Sequence, residues 1–147
     1  MSERTQKGKV PPHNLDAEKS VLGAILIDED SLVNVIGILK PDDFYEPSHR
    51  LIFGAMLSLY EENRSVDLLT TSDILKNRKQ LTEVGGSSYL SSLTNYVTTS
   101  AHLIDYAEIV ATSATRRRLI AASGAIAEYG FDEESNINEL IAKAESE

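Results

Sequence analysis

The feature that most constrains the fold is a long uninterrupted stretch in the last third of the sequence. Residues 101–129 contain no proline and only one interior glycine, Gly124, which predicts one long helix. Its apolar residues form two stripes: Leu103, Tyr106 and Val110, then Leu119, Ala122, Ile126 and Tyr129. A heptad step from Val110 leads to Arg117 and not to Leu119, so the stripes differ by roughly 200° of helix rotation. The two halves of this helix are therefore predicted to face different neighbours.

A second helix is predicted after a short acidic turn. Gly130 suits a left-handed cap, and Phe131 would then pack back on the helix in a Schellman-type stop. Asn136 and Glu139 form a capping-box pattern for the last helix. The apolar residues of that helix are Ile137, Leu140, Ile141 and Ala144. Two antiparallel helices with a short connection make a helical hairpin, which we predict for residues 99–147.

Five shorter helices are predicted ahead of the long one, so the fold class is all-α. No run of alternating apolar and polar residues is long enough to indicate a strand. Prolines, glycines and capping residues place the helices at about 15–27, 31–39, 47–62, 71–79 and 87–96. The fourth is assigned a capping box at Thr70-Thr71-Ser72-Asp73. These five helices make a compact head over residues 11–98, preceded by a flexible polar arm over residues 1–10.

Composition narrows the range of functions. The formal net charge of −9 disfavours direct binding to a phosphate backbone. The absence of cysteine excludes disulfides, thiolate metal sites and thiol catalysis, and fits a cytoplasmic protein. No apolar run is long enough to cross a membrane, and no membrane partner is predicted. No Gly-x-x-x-x-Gly-Lys-Ser/Thr pattern occurs, so we predict neither nucleotide binding nor catalysis by this chain.

Three groups of polar residues remain as weak signals. His13, His49 and His102 lack metal-ligand spacing and are interpreted as surface or capping residues, with no metal site predicted. Asp42-Asp43 is interpreted as a solvated turn. The cluster Arg116-Arg117-Arg118 fans over about 200° of a helix, so it cannot make one phosphate-binding stripe. A structural or subunit-contact role is favoured for it over DNA contact.

Six short sequence motifs resemble those of a known family. The first is Pro11-Pro12-His13-Asn14-Leu15-Asp16-Ala17-Glu18-Lys19-Ser20-Val21-Leu22-Gly23-Ala24-Ile25-Leu26. The others are Pro41-Asp42-Asp43-Phe44-Tyr45, Ser48-His49-Arg50-Leu51-Ile52-Phe53-Gly54-Ala55-Met56, Val66-Asp67-Leu68-Leu69-Thr70, Gly85-Gly86-x-x-Tyr89-Leu90, and Tyr106-Ala107-x-Ile109-Val110 with Arg117-Arg118-Leu119-Ile120. In this order the chain resembles the N-terminal domain of DnaB-type bacterial replicative DNA helicases over residues 11–147. It departs from the family at Thr98-Thr99-Ser100-Ala101, where a proline is usual, which leaves the start of the next helix open.

The resemblance implies a role that is not the motor. In that family the domain forms a collar on a hexameric ring, pairs through its hairpin into a trimer of dimers, and docks the C-terminal domain of primase. A helicase loader is a further candidate partner, and DNA is contacted only through the full ring. The parent chain resembles an ATP-dependent 5'–3' helicase whose ATP and Mg sites lie in a separate C-terminal domain. The helical pattern continues to Ser146-Glu147, so the sequence is expected to be a fragment.

The candidate site residues follow from the hairpin pattern and the resemblance. Self-association is assigned to Leu119, Ile120, Ile126, Ile137 and Ile141. Primase docking at the head–hairpin junction of the family is assigned to Tyr89, Arg116, Arg117, Leu119 and Ile120. For Tyr89 an alternative stays equally open, in which its ring is core and packs with Leu90 and Leu93. The alternative function is an all-α dimeric interaction or regulatory module unrelated to replication, which a P-loop further along the gene would exclude.

Overall fold

The computed structural model describes residues 10–147, and every regular element in that range is a helix. The α-helices are α1 (Leu15–Ile27), α2 (Pro47–Glu61), α3 (Leu68–Asn77), α4 (Gly86–Thr94), α5 (Leu103–Phe131) and α6 (Ile137–Ser146). Two 3₁₀ helices, Glu29–Asn34 and Pro41–Asp43, connect α1 to α2. The predicted all-α class is confirmed, whereas most of the predicted N-terminal arm falls outside the described residues.

The chain divides into two compact units, and the division falls inside α5. The first unit is His13–Ala114, and the second combines residues 10–12 with Thr115–Glu147. The domain limits predicted from the sequence, residues 11–98 and 99–147, stay a prediction.

Helix α1 lies at the centre of the first unit. Nine of its thirteen residues are buried, and it packs against α2, α4 and the first 3₁₀ helix. Apolar residues around most of its circumference make a central position the favourable one. The largest fully buried side chains of the unit are Phe44, Phe53, Leu22, Ile25, Leu32, Leu39, Ile52, Met56, Leu59, Leu75, Leu90 and Leu93. Helix α3 completes the bundle by packing against α2 and α4.

Side-chain hydrogen bonds at the starts of α1 and α3 show which residues cap these helices. Asn14 caps α1, because its side-chain oxygen accepts from Ala17 N at 2.9 Å. Helix α3 begins at Leu68, one turn before the prediction. Its capping box pairs Asp67 and Thr70, each side chain accepting from the other residue's backbone N–H. The box predicted at residues 70–73 is therefore wrong, because these residues already lie inside the helix and Thr70 N donates to Asp67.

The second predicted helix, residues 31–39, is also wrong in type. The chain there forms the 3₁₀ helix Glu29–Asn34 and further tight turns, in which Val35 N donates to Leu32 O and Ile38 N to Val35 O. Leu32, Val35 and Leu39 nevertheless reach the core as their spacing predicted. Burial of these three side chains outweighs the local preference for a regular α-helix.

The turn before α2 is less solvated than predicted. Asp43 is buried, and its carboxylate accepts from Lys40 N at 2.9 Å. This bond closes the 3₁₀ helix that begins at Pro41. The solvated interpretation is therefore wrong for Asp43, because the carboxylate satisfies a backbone donor.

Helix α5 changes its environment at the unit boundary. Within the first unit Leu103, Ala107, Val110 and Ala114 are buried, whereas no residue of α5 beyond Ala114 is. The helix continues through Gly130, which has no positive φ, and ends at Phe131, which is 87% exposed. The predicted Schellman stop is therefore wrong. In α6 the side chain of Asn136 accepts from Asn138 N, and Leu140 is buried.

Candidate protein-interaction sites

The first candidate site is a polar network at the edge of the first unit's core. Glu18 is buried, and its carboxylate accepts from Tyr45 N at 2.7 Å and Glu46 N at 3.3 Å. The same carboxylate lies 2.7 Å from Nδ1 of the buried His49. Nε2 of His49 lies 2.6 Å from the hydroxyl of Tyr89. A buried carboxylate is thus connected through an imidazole to a tyrosine at the surface.

Three helix beginnings bring this network together. Glu18 lies in the first turn of α1, between Leu15 and Leu22 in the i−3 and i+4 positions, so the apolar face carries it inward. His49 is in the first turn of α2, which begins at Pro47. Tyr89 is in the first turn of α4.

Gly85, the residue before α4, makes room for the ring of Tyr89. It has a φ of +106°, and a side chain there would come within 2.8 Å of Tyr89 Cβ. Both the backbone conformation and the space therefore require glycine at this position. The ring of Tyr89 is half-buried and packs on the core, while its remaining surface is open to solvent.

The electrostatic environment keeps the Tyr89 hydroxyl protonated. Burial raises the pKa of Tyr89, and the negative charges of Glu46 and Glu18 raise it further. The hydroxyl therefore has a proton to donate throughout the physiological pH range. Among the described residues, no group donates a hydrogen bond to the Glu46 carboxylate, which is partly exposed.

The second candidate site is the apolar surface of the second unit. All five residues predicted for self-association, Leu119, Ile120, Ile126, Ile137 and Ile141, are exposed in the single chain. Leu119 is 72% and Ile137 64% exposed. Phe131, which the sequence analysis assigned to a helix stop, adds a sixth apolar side chain to this exposed set. Exposed aliphatic and aromatic groups in such number on 33 residues are typical of a protein-interaction surface.

Two contacts fix the second unit internally. Nη1 of Arg117 donates to Pro12 O at 2.8 Å, which accords with the structural role favoured for the arginine cluster. The hydroxyl of Tyr129 donates to the carboxylate of Glu147 and so connects α5 to the residue after α6. Arg116 is exposed, and Nη2 of Arg118 is 3.4 Å from Thr115 Oγ1.

Sequence reasoning missed Glu18 and His49 as members of a site. The surface or capping interpretation is wrong for His49, which is 1% exposed. A signal was present in the sequence, because Glu18 interrupts the apolar face of α1 and a carboxylate at such a position needs buried donors. Nothing in the sequence identified Tyr45 N, Glu46 N and His49 as those donors, since they lie 27 to 31 residues away.

The described helices include none that is both long enough and apolar enough to span a lipid bilayer.

The described residues thus form an all-helical bundle and a second helical unit with exposed apolar side chains. The sequence model described as "DnaB-like helicase N terminal domain" matches residues 10–112, and the chain belongs to this family. The resemblance noted in the sequence is thus confirmed.

Relatives and solved structures agree with this assignment. The replicative DNA helicase DnaC of Bacillus subtilis is 42% identical and DnaB of Geobacillus stearothermophilus 41% identical, each over 93% of this chain. The chain spans 30% of the length of these relatives. The crystal structure of the N-terminal domain of DnaB helicase from Mycobacterium tuberculosis is 37% identical, with a TM-score of 0.89 over 93% of this chain and 96% of that one.

A second solved structure shares the fold at lower identity. It is the N-terminal domain of DnaB helicase from Helicobacter pylori, described together with its interactions with primase. It is 21% identical, with a TM-score of 0.61 over 79% of this chain and 90% of that one.

Proposed function

We propose that this chain is the non-catalytic collar domain of a hexameric replicative DNA helicase, which assembles the ring by self-association and docks primase. Family membership supports the helicase context, and the exposed apolar residues of Thr115–Glu147 are the observation that carries the assembly role. A two-fold dimer would bury these side chains on both copies at once. Three such dimers would complete the ring.

The exposed residues of α5 fall into two lines along the helix. Leu119 and Ile126 are seven residues apart and share one line, while Ile120 lies about 100° further round. Ile137 and Ile141 are one turn apart on α6. An interface that uses both helices can therefore cover most of the exposed apolar surface, and Leu119 with Ile126 forms its longest straight row.

Replacing both Leu119 and Ile126 with serine is expected to weaken dimerisation of the isolated chain. The change removes two aliphatic side chains from a desolvated interface, which should raise the dimer dissociation constant by about 100-fold. Sedimentation equilibrium at micromolar concentrations measures this constant. Ile109→Ser is the control, because Ile109 is an exposed aliphatic residue of the same helix in the first unit. A double variant that dimerises like the original chain would contradict the assembly role.

Primase docking is the second part of the proposal. Two solved structures with the same fold, one at 24% and one at 21% identity, are described together with their interactions with primase. Of the candidate residues, Tyr89 lies in the first unit and Arg116, Arg117, Leu119 and Ile120 lie in the second, and each group is proposed as a docking surface by itself. Tyrosine and arginine dominate the energies of many interfaces, and all five residues retain exposed surface.

Tyr89→Ala is expected to weaken binding of the cognate primase C-terminal domain by ~1–3 kcal/mol. Loss of an aromatic anchor from the interface is the physical reason, and isothermal titration calorimetry gives the dissociation constant. Thermal unfolding of the same variant reports its structural cost. Unchanged affinity together with a large loss of stability would assign Tyr89 to the core and overturn its docking role.

The remaining parts of the proposal concern the parent protein. ATP, Mg and the motor are assigned to residues beyond this chain, a helicase loader is a further candidate partner, and DNA is reached only through the complete ring. A cytoplasmic location belongs to the same proposal. The test is to search the full gene for a P-loop and assay the full-length protein for ATP-dependent unwinding. An intact gene without that motif would favour a regulatory helical module.

A further inference from the structure

We propose that Tyr89 and Glu46 form an acceptor pair that receives a cationic side chain of the docked partner. Glu18 and His49 are the positioning residues, because they fix the direction of the hydrogen bond that the Tyr89 hydroxyl makes. This inference rests on the proposed role of Tyr89 in docking. It adds two things to that role: the chemistry of the partner group, and a buried network that selects this chemistry.

The first step is the direction of the hydrogen bonds. Both oxygens of the Glu18 carboxylate accept from backbone N–H groups, of Tyr45 and Glu46, and Nδ1 of His49, 2.7 Å away, is the third donor to the same carboxylate. A neutral imidazole carries one N–H, and Nε2 is then an acceptor. The Tyr89 hydroxyl, 2.6 Å away, must therefore donate to Nε2. Glu18 thus fixes the tautomer of His49, and His49 fixes the orientation of the Tyr89 proton.

The second step is what Tyr89 then offers to a partner. A phenol has one proton to donate, and this proton is committed to His49. The remaining hydrogen-bonding capacity of this oxygen consists of lone pairs only, so a partner group that reaches it must be a hydrogen-bond donor. A carboxylate or a carbonyl placed there would meet another acceptor, and its desolvation would not be compensated.

The third step is the charge beside the hydroxyl. Glu46 N donates to Glu18 at 3.3 Å and Glu46 O accepts from His49 N at 3.0 Å, so Glu46 lies directly beside the network. Its negative charge also raises the pKa of Tyr89. Glu46 and Tyr89 therefore belong to one assembly anchored on the same buried carboxylate. An arginine or lysine side chain suits both groups, because it carries a positive charge and several N–H donors. The acidic net charge of the chain favours approach of such a partner as well.

The direction of the hydrogen bond between Tyr89 and His49 is tested on the protein without any partner. Long-range ¹H–¹⁵N correlation spectra of the ¹⁵N-labelled chain distinguish the two neutral tautomers of histidine from the imidazolium. His49→Gln assigns the signals, and His13 and His102 are internal references. We expect His49 to be the neutral Nδ1–H tautomer at about pH 7.5. The Nε2–H tautomer or an imidazolium would overturn the proposal, because Nε2 would then donate to Tyr89.

The cationic partner group is tested by calorimetry with the cognate primase C-terminal domain. Tyr89→Phe keeps the ring and removes the acceptor, and Glu46→Gln removes the charge; each should weaken binding about 3–10-fold. Glu46→Gln should also reduce the salt dependence of the affinity. The matched controls Tyr60→Phe and Glu61→Gln, on the exposed end of α2, should stay within about twofold.

The outcomes separate this inference from the proposed function. If the original chain does not bind the primase domain, the docking role is wrong, and the partner assigned to the acceptor pair falls with it. If the original chain binds and both Tyr89→Phe and Glu46→Gln bind equally well, docking stands and the acceptor pair is wrong. Weakened binding in both variants, with the Nδ1–H tautomer of His49, supports the inference.

Discussion

Gly23→Ala should lower the free energy of unfolding by about 3 kcal/mol, because it forces a methyl group into a close contact between α1 and α4. A side-chain carbon on Gly23 would overlap the backbone carbonyl oxygen of Leu93 and would lie 3.2 Å from its carbonyl carbon. The obstacle is backbone of α4 and cannot rotate away, so α1 and α4 must separate. Urea unfolding followed by circular dichroism gives the change in stability.

Gly54→Ala is the matched control for this prediction. Gly54 also lies inside an α-helix, but the nearest atom to an added side-chain carbon is Pro41 Cγ at 4.0 Å. The higher helix propensity of alanine should therefore stabilise the chain by ~0.5–1 kcal/mol. If both variants shift stability in the same direction by similar amounts, the close contact between α1 and α4 does not limit the fold.

Glu18→Ala should cost about 3 kcal/mol of stability, because it removes the acceptor at the centre of a buried network and leaves buried donors without a partner. Tyr45 N, Glu46 N and Nδ1 of His49 all donate to this carboxylate, and His49 is almost fully buried. Without Glu18 these donors are left without a partner in a region that water reaches poorly. Chemical denaturation of the purified chain measures the loss.

Two further variants give this second prediction its specificity. Glu61→Ala removes a carboxylate from an exposed helix position and should change stability by less than about 0.5 kcal/mol. Glu18→Gln keeps one acceptor oxygen but brings an amide donor against the other donors, so an intermediate loss is expected. A Glu18→Ala variant as stable as Glu61→Ala would show that the network contributes little to folding.

The two units differ in how far their apolar residues are buried. The first unit buries most of its large apolar side chains, whereas the second leaves most of its aliphatic residues exposed. Substitutions such as Gly23→Ala are therefore expected to act on unfolding, and the Leu119 and Ile126 substitutions on association. Because the latter side chains are already hydrated in the monomer, their loss costs the monomer little.

The helices could be predicted well wherever local signals agree with burial. The start of α1 follows from Asn14 and the apolar spacing after it, and α2 begins at Pro47 as predicted. The prediction of an α-helix over residues 31–39 was wrong because the apolar spacing is equally compatible with tight turns that place three side chains in the core. Gly130 failed as a stop because a glycine only permits a left-handed cap and does not impose one.

Of the two candidate interaction sites, only the apolar one could be predicted from the sequence. The exposed apolar residues of α5 and α6 were identifiable from the sequence because the helical stripes exceed what one neighbouring helix can cover. Their role in assembly stays a prediction. The network of Glu18, His49 and Tyr89 was not identifiable, because its members come from three helices and its hydrogen bonds span 27 to 40 residues.

The sequence by itself determined the all-α class, the positions of most helices and the family. These depend on apolar periodicity, helix caps and short motifs, all of which involve residues close together in the chain. Only the tertiary structure decided that Glu18 is buried, that His49 joins it to Tyr89, and that Gly23 lies against Leu93. The physical reason is the separation along the chain between the residues that interact. Helix formation is governed by contacts three or four residues apart, whereas burial and hydrogen-bond polarity depend on which distant segments fill the same space.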